Sequence, residues 1–135
     1  MGSASGYSAS LGAFEPEKLT AEAQDYIRRL GYDVEVNNGP PAILIQTFWR
    51  SQLPTAGERE AGVTEGRTRI RVLGRQRLGM TEASEFYVTT FAVEHQVRMG
   101  PGGAWQERPA ASEFLEWART SGRELKLQLE SGRQE

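Results

Sequence analysis

Cysteine is absent from this 135-residue chain, so disulfides, thiolate nucleophiles and cysteine-bound zinc or iron–sulfur centres are excluded together. Histidine occurs once, at His95. One imidazole cannot build a histidine-rich metal site, and no serine stands at a readable spacing from it for a Ser-His-Asp hydrolase. Lysine is scarce: Lys18 and Lys126 stand against fourteen arginines. A GC-rich coding sequence produces that bias, and arginines scattered at Arg59, Arg119 and Arg133 agree with it. No apolar run approaches the ~20 residues needed to cross a bilayer, and as given the chain reads as lacking a transmembrane helix and a signal peptide. The net charge of −2 argues against a histone-like polyanion binder, although clustered charges still create a local field. The length and the 38% hydrophobic fraction suit one globular domain.

What the chain does have is a periodic run of arginine. Arg67, Arg69, Arg71, Arg75 and Arg77 alternate, with Leu73 at the one missing position. In an unbulged strand all five side chains share one face, ~6.6 Å apart along it. Such a row offers forked donors to an anionic partner: nucleic acid, an anionic glycan, a lipid head-group layer or an acidic protein. A solvated face laced by cross-strand ion pairs would use the same residues. The available acids are Glu94 and Glu85 on the following strand, and Glu58, Glu60 and Glu65 in the preceding loop. Gly74 marks either a bulge, which would turn Arg75 and Arg77 off the face, or the close approach of a helix. No aromatic lies within 67–78, and only Phe86 on the next strand is placed to share the face. Stacking platforms for single-stranded nucleic acid are therefore few, and no helix-turn-helix or RNP-like motif occurs.

Periodicity divides the rest of the chain. Residues 1–13 are small, polar and Gly/Ser-rich and read as a flexible leader. Pro16 to about Leu30 reads as a helix, with Leu19, Ala23, Ile27 and Leu30 on one stripe and Gly31 as its cap. Tyr32, Val34 and Val36 then alternate as a short strand, and Asn37 to Pro41 is turn chemistry. Ala42–Arg50 is apolar on both faces and reads as a central strand. Residues 51–66 form a long polar connection, a functional or mobile loop. The arginine strand, Arg67 to Leu78, follows. After a turn over 79–84 comes a long strand, about Glu85 to Met99. Gly100-Pro101-Gly102-Gly103 makes a hairpin turn, and it lacks the lysine of a phosphate-binding loop. Ala104–Glu107 reads as a short returning strand. Ser112 then caps a helix running to about Leu129, although the alternation of Leu125, Leu127 and Leu129 also suits a strand.

The fold class expected is α+β: an N-terminal helix, a four- to five-stranded, mostly antiparallel meander, and a C-terminal helix, with both helices on one face of the sheet. The domain spans 14–130, followed by a disordered tail at 131–135. Trp49, Trp105 and Trp117 either line a ligand pocket between helices and sheet or pack at the core edge. Glu94 and His95 are neighbours on a strand and so point to opposite faces. No cofactor or metal site is expected.

Ser3-Ala4-Ser5-Gly6-Tyr7-Ser8-Ala9-Ser10 resembles the tether that follows the lipidated cysteine of small bacterial envelope lipoproteins. The helix–meander–helix order is similar to the helix-on-sheet domains many of them carry. The resemblance implies an envelope-facing, non-enzymatic domain that binds or scaffolds other components, held to a membrane only through an N-terminal anchor. It transfers no site residues, and the anchoring cysteine is not in this chain. The first expectation is thus an exported interaction module whose partner is another protein or an anionic surface. The second is an anion-binding module using Arg67, Arg69, Arg71, Arg75 and Arg77. The third is a small-ligand or enzymatic pocket lined by tryptophan.

Overall fold

Pro16 occupies the first turn of helix α1 (Pro16–Arg29), where its missing N–H is not needed. Arg28 and Arg29 sit at the negative end of the helix dipole, and Gly31 (φ +93°) reverses the chain just beyond it. The computed structural model describes residues 6–76, 86–100, 102–107 and 111–132. Around α1 the elements are β1 (Tyr7–Phe14), β2 (Val34–Asn38), β3 (Ala42–Thr47), β4 (Arg50–Gln52), α2 (Ala56–Glu60), β5 (Glu65–Gln76), β6 (Tyr87–Arg98) and α3 (Ser112–Gly132).

The strands form one antiparallel sheet in the order β1-β6-β5-β3-β2, with β4 also pairing β5. Residues alternate in burial along β5 and β6, so one face is core and the other is open. Ile43, Ile45, Ile70, Val72, Phe91 and Val93 form the core face, and α1 and α3 cover it with Leu19, Ala23, Ile27, Ala118, Leu125 and Leu129. The α+β class and the one-sided helical layer are as the sequence predicts. Two glycines let the helices settle on the sheet. A Cβ at Gly74 would lie 3.0 Å from Leu19 Cδ2 and 3.1 Å from Ile43 Cβ; one at Gly122 would lie 3.1 Å from Phe91 Cδ2.

Several local expectations are corrected. Tyr7–Phe14 forms an edge strand, so 7–13 are not part of a flexible leader. Its register shifts between Ser10 and Gly12, which leaves Leu11 unpaired. That bulge reverses the alternation, so Tyr7, Ala9, Leu11 and also Phe14 face the core. Leu11, within the Gly/Ser-rich stretch, and Phe14 just after it supply the buried apolar surface that orders the strand. The sheet therefore begins before the first helix and has six strands among the described residues. The apolar stretch 42–50 breaks at Phe48 and Trp49 into β3 and β4. Gly74 is not a bulge: β5 pairs β6 without interruption from Glu65 to Gln76. The polar connection at 51–66 contains β4, and α2 closed by a capping box between Thr55 and Glu58. The returning segment at 104–107 contributes one bridge, Val97 to Gln106. The last helix continues through 131 and 132, where a tail was expected, and the strand alternative for 123–130 is not adopted. Met1, Arg77, the turn over 79–84, Glu85 and residues 133–135 lie outside the described residues.

Candidate functional sites

The open face of the sheet carries the arginine row. Arg67, Arg69 and Arg71 alternate with the buried Thr68, Ile70 and Val72, and the unbroken register keeps Arg75 in line with them. Cross-strand pairing sets their partners. Arg69 and Glu94 are opposite one another, and Arg69 Nε donates to Glu94 Oε1 at 2.6 Å. Arg71 Nη1 reaches Glu94 Oε2 at 3.4 Å, while its Nε is enclosed without a partner. Arg98 pairs with Glu65 across the same strands. Arg67 faces Gln96, and both Nε and Nη2 donate to that neutral amide at 3.0 and 2.6 Å. Among the described residues Arg67 has no carboxylate partner. Its pKa is lowered by desolvation, then by the charges of Arg69 and Arg98, with the Glu65 carboxylate opposing them from beyond ion-pair distance. Arg75 is exposed between Ala42 and Val88, neither of which offers a carboxylate.

Tryptophan completes this face, which sequence reasoning missed. β3 stops at Thr47, and Ile70 N–H, left without a strand partner there, donates to Thr47 Oγ1 at 3.0 Å. The interruption carries Trp49 over the arginines. The Arg67 guanidinium lies 4.2 Å from the centroid of Trp49 and 4.2 Å from that of Trp105. Arg69 sits 4.5 Å from Trp49, and Arg98 sits 4.7 Å from Trp105. The Val97–Gln106 bridge holds the Trp105 segment in place. The aromatics come from segments 18 and 38 residues away from Arg67 along the chain, so no local pattern could announce them. Glu58 and Glu60, candidate covers for the row, stay off it. Glu58 is buried on the core side and Glu60 is exposed on α2.

Trp117 is separate from the other two tryptophans, so the expected three-tryptophan pocket does not form. It sits on the helical side, 6.5 Å from Tyr32 and 6.2 Å from Phe114. Phe114 in turn lies 4.8 Å from the His95 ring. These rings form one wall of a cleft of about 550 Å³, with Leu53, Arg50, Glu113 and Glu58 around it. The His95–Glu58 pair lies at its floor, Nε2 to Oε2 at 3.0 Å. Glu58 Oε1 accepts from the Thr55 N–H, so both carboxylate oxygens are engaged. Nδ1 is enclosed and has no hydrogen-bond partner. Glu94 is on the opposite face, as strand parity requires. The deeper Tyr32 hydroxyl meets Thr68 Oγ1 at 2.6 Å, and burial raises its pKa.

Among the described residues no group of three or more His, Asp or Glu side chains could hold a metal ion, and no helix is long and apolar enough to cross a membrane. Comparison with protein-family models, with curated proteins and with solved structures gave no match.

Proposed function

We propose that this chain is a non-enzymatic interaction module that docks an acidic protein segment on the open face of its sheet, around Arg67, Trp49 and Trp105. The observation that carries this reading is the Arg67 guanidinium held between two indole rings, with no carboxylate of the described residues hydrogen-bonded or ion-paired to it. Arginine and tryptophan are the residues that dominate binding energy at protein interfaces, and a stacked guanidinium is already fixed in geometry before a partner arrives. The partner's carboxylate replaces the neutral amide of Gln96 and gains a charge-assisted bond. The enclosure of His95 Nδ1 and the engagement of Nε2 by Glu58 support the non-enzymatic part of the reading. The setting we propose is the bacterial cell envelope, supported by the Ser/Ala/Gly composition of residues 3–6 just ahead of β1.

A second reading, an anion-binding face, is favoured by Arg75, which extends the row beyond the ion pairs of Glu94. One experiment separates them. Immobilised protein is offered a glutamate-rich peptide, heparin and duplex DNA at low and raised salt, with tryptophan fluorescence as the solution readout. The expected result is retention of the peptide and loss of at least about tenfold in affinity on Arg67→Glu, since one charge-assisted bond is lost and a like charge takes its place. Equal binding by Arg67→Glu overturns the docking site. Retention of heparin and DNA alone, with a steep salt dependence, transfers the function to the second reading.

A further inference from the structure

We infer that the cleft between β4, α2 and the first turns of α3 is a binding site for a small aromatic carboxylate. It is on the opposite side of the sheet from the arginine–tryptophan face and shares no residue with it. Its volume of about 550 Å³ lies within the range of about 300–1,000 Å³ typical of small-molecule sites. In the wall, Tyr32 and Phe114 are buried and back the half-buried Trp117, whose ring is the one open to a flat apolar body, and Leu53 at the rim is 89% exposed. That leucine is the most exposed large apolar side chain described, and it borders the cleft.

Arg50 supplies the charge. Its guanidinium lies 5.2 Å from the Tyr32 centroid, and its Nη1 donates to the Leu30 carbonyl at 3.0 Å. These contacts hold the group over the Tyr32 ring, and no carboxylate of the described residues pairs with it. A ligand carboxylate there satisfies the remaining donors in fork geometry. Glu113 also lines the cleft, exposed on the first turn of α3, and opposes any anion. Entry therefore favours a ligand whose single negative group lies at the Arg50 end while its apolar body lies along Trp117. At the floor, Glu58 bonds with Thr55 and His95, and the second imidazole nitrogen is enclosed.

The test uses naphthoate as the probe, with naphthol as its counterpart lacking the carboxylate. Binding to the unmodified protein is measured by calorimetry. It is repeated by fluorescence in Trp49→Phe/Trp105→Phe, where Trp117 is the only indole. The expected result is saturable binding of naphthoate with quenching of Trp117. Arg50→Gln weakens it about tenfold, as removal of a charge-assisted bond does, and Glu113→Gln tightens it. Both positions are exposed, and circular dichroism checks that each variant is folded. Failure of naphthoate to saturate overturns the site, and so does equal binding by Arg50→Gln. Equal affinity for naphthol overturns the carboxylate assignment. Arg67→Glu leaves naphthoate binding unchanged, so this site and the sheet-face docking site fail independently.

Discussion

At the scale of single residues, the most informative side chains are those that repair an interruption. Thr47 is buried, and its hydroxyl accepts the Ile70 N–H where β3 has ended. Replacing it with valine keeps the shape and removes the acceptor. Thr47→Val is expected to cost about 2 kcal/mol, because a buried N–H then has no partner. Thr47→Ser is expected to recover much of that loss, and urea denaturation of the pair measures both. Nothing in the sequence around Thr47 discloses this role, since its partner is 23 positions away. Gly74 was partly legible. A glycine inside a strand pattern signals either a bulge or a close approach, and the nearness of Leu19 and Ile43 decides for the approach.

At the scale of elements, the amphipathic pieces were legible and the irregular ones were not. The helix at 16–29 and the long alternating strands announce themselves by apolar periods of 3.6 and 2. β1 does not, because its bulge shifts Phe14 out of phase with Tyr7 and Ala9. Gly12, at φ +109°, holds the chain in that bulge. Gly12→Ala has room for its methyl group, with nothing nearer than the Phe14 ring at 3.6 Å. Its cost is therefore one of backbone conformation, about 1–2 kcal/mol. Hydrogen exchange should localise that loss to the β1 amides and their β6 partners. A variant that exchanges uniformly across the sheet would contradict an edge strand held by its own bulge.

At the scale of the whole molecule, two buried tyrosines tie distant parts of the chain together. Tyr26 donates from α1 to Glu124 of α3 at 2.8 Å, and Tyr32 joins the segment after α1 to Thr68 of β5. Both phenols have raised pKa values, chiefly from burial, with the Glu124 contact adding to the effect at Tyr26. The folded protein thus keeps these protons at a pH where the unfolded chain, with tyrosine near pH ~10, releases them. Their contribution is whole below that pH and is lost as pH rises through the folded values. Above pH ~10 each tyrosine is expected to lower stability by up to about 1.4 kcal/mol per pH unit. Urea midpoints between neutral and alkaline pH measure this slope. Tyr26→Phe and Tyr32→Phe should each make it shallower, whatever they do to stability at neutral pH.

By itself the sequence determined the class of fold, the helical layer on one side and the arginine row on the other. These follow from local periodicity, which any stretch of a dozen residues carries within itself. It also excluded cysteine chemistry outright. Only the tertiary structure decided what the arginines meet. Trp49 and Trp105 reach Arg67 because a broken strand and a returning segment fold over the same face, and Arg67 finds an amide opposite it where Arg69 finds a carboxylate. The same holds for the cleft, whose wall joins Tyr32, Phe114 and Trp117 from elements far apart in the chain. Register and the packing of remote segments set these contacts, and neither leaves a trace in the order of neighbouring residues.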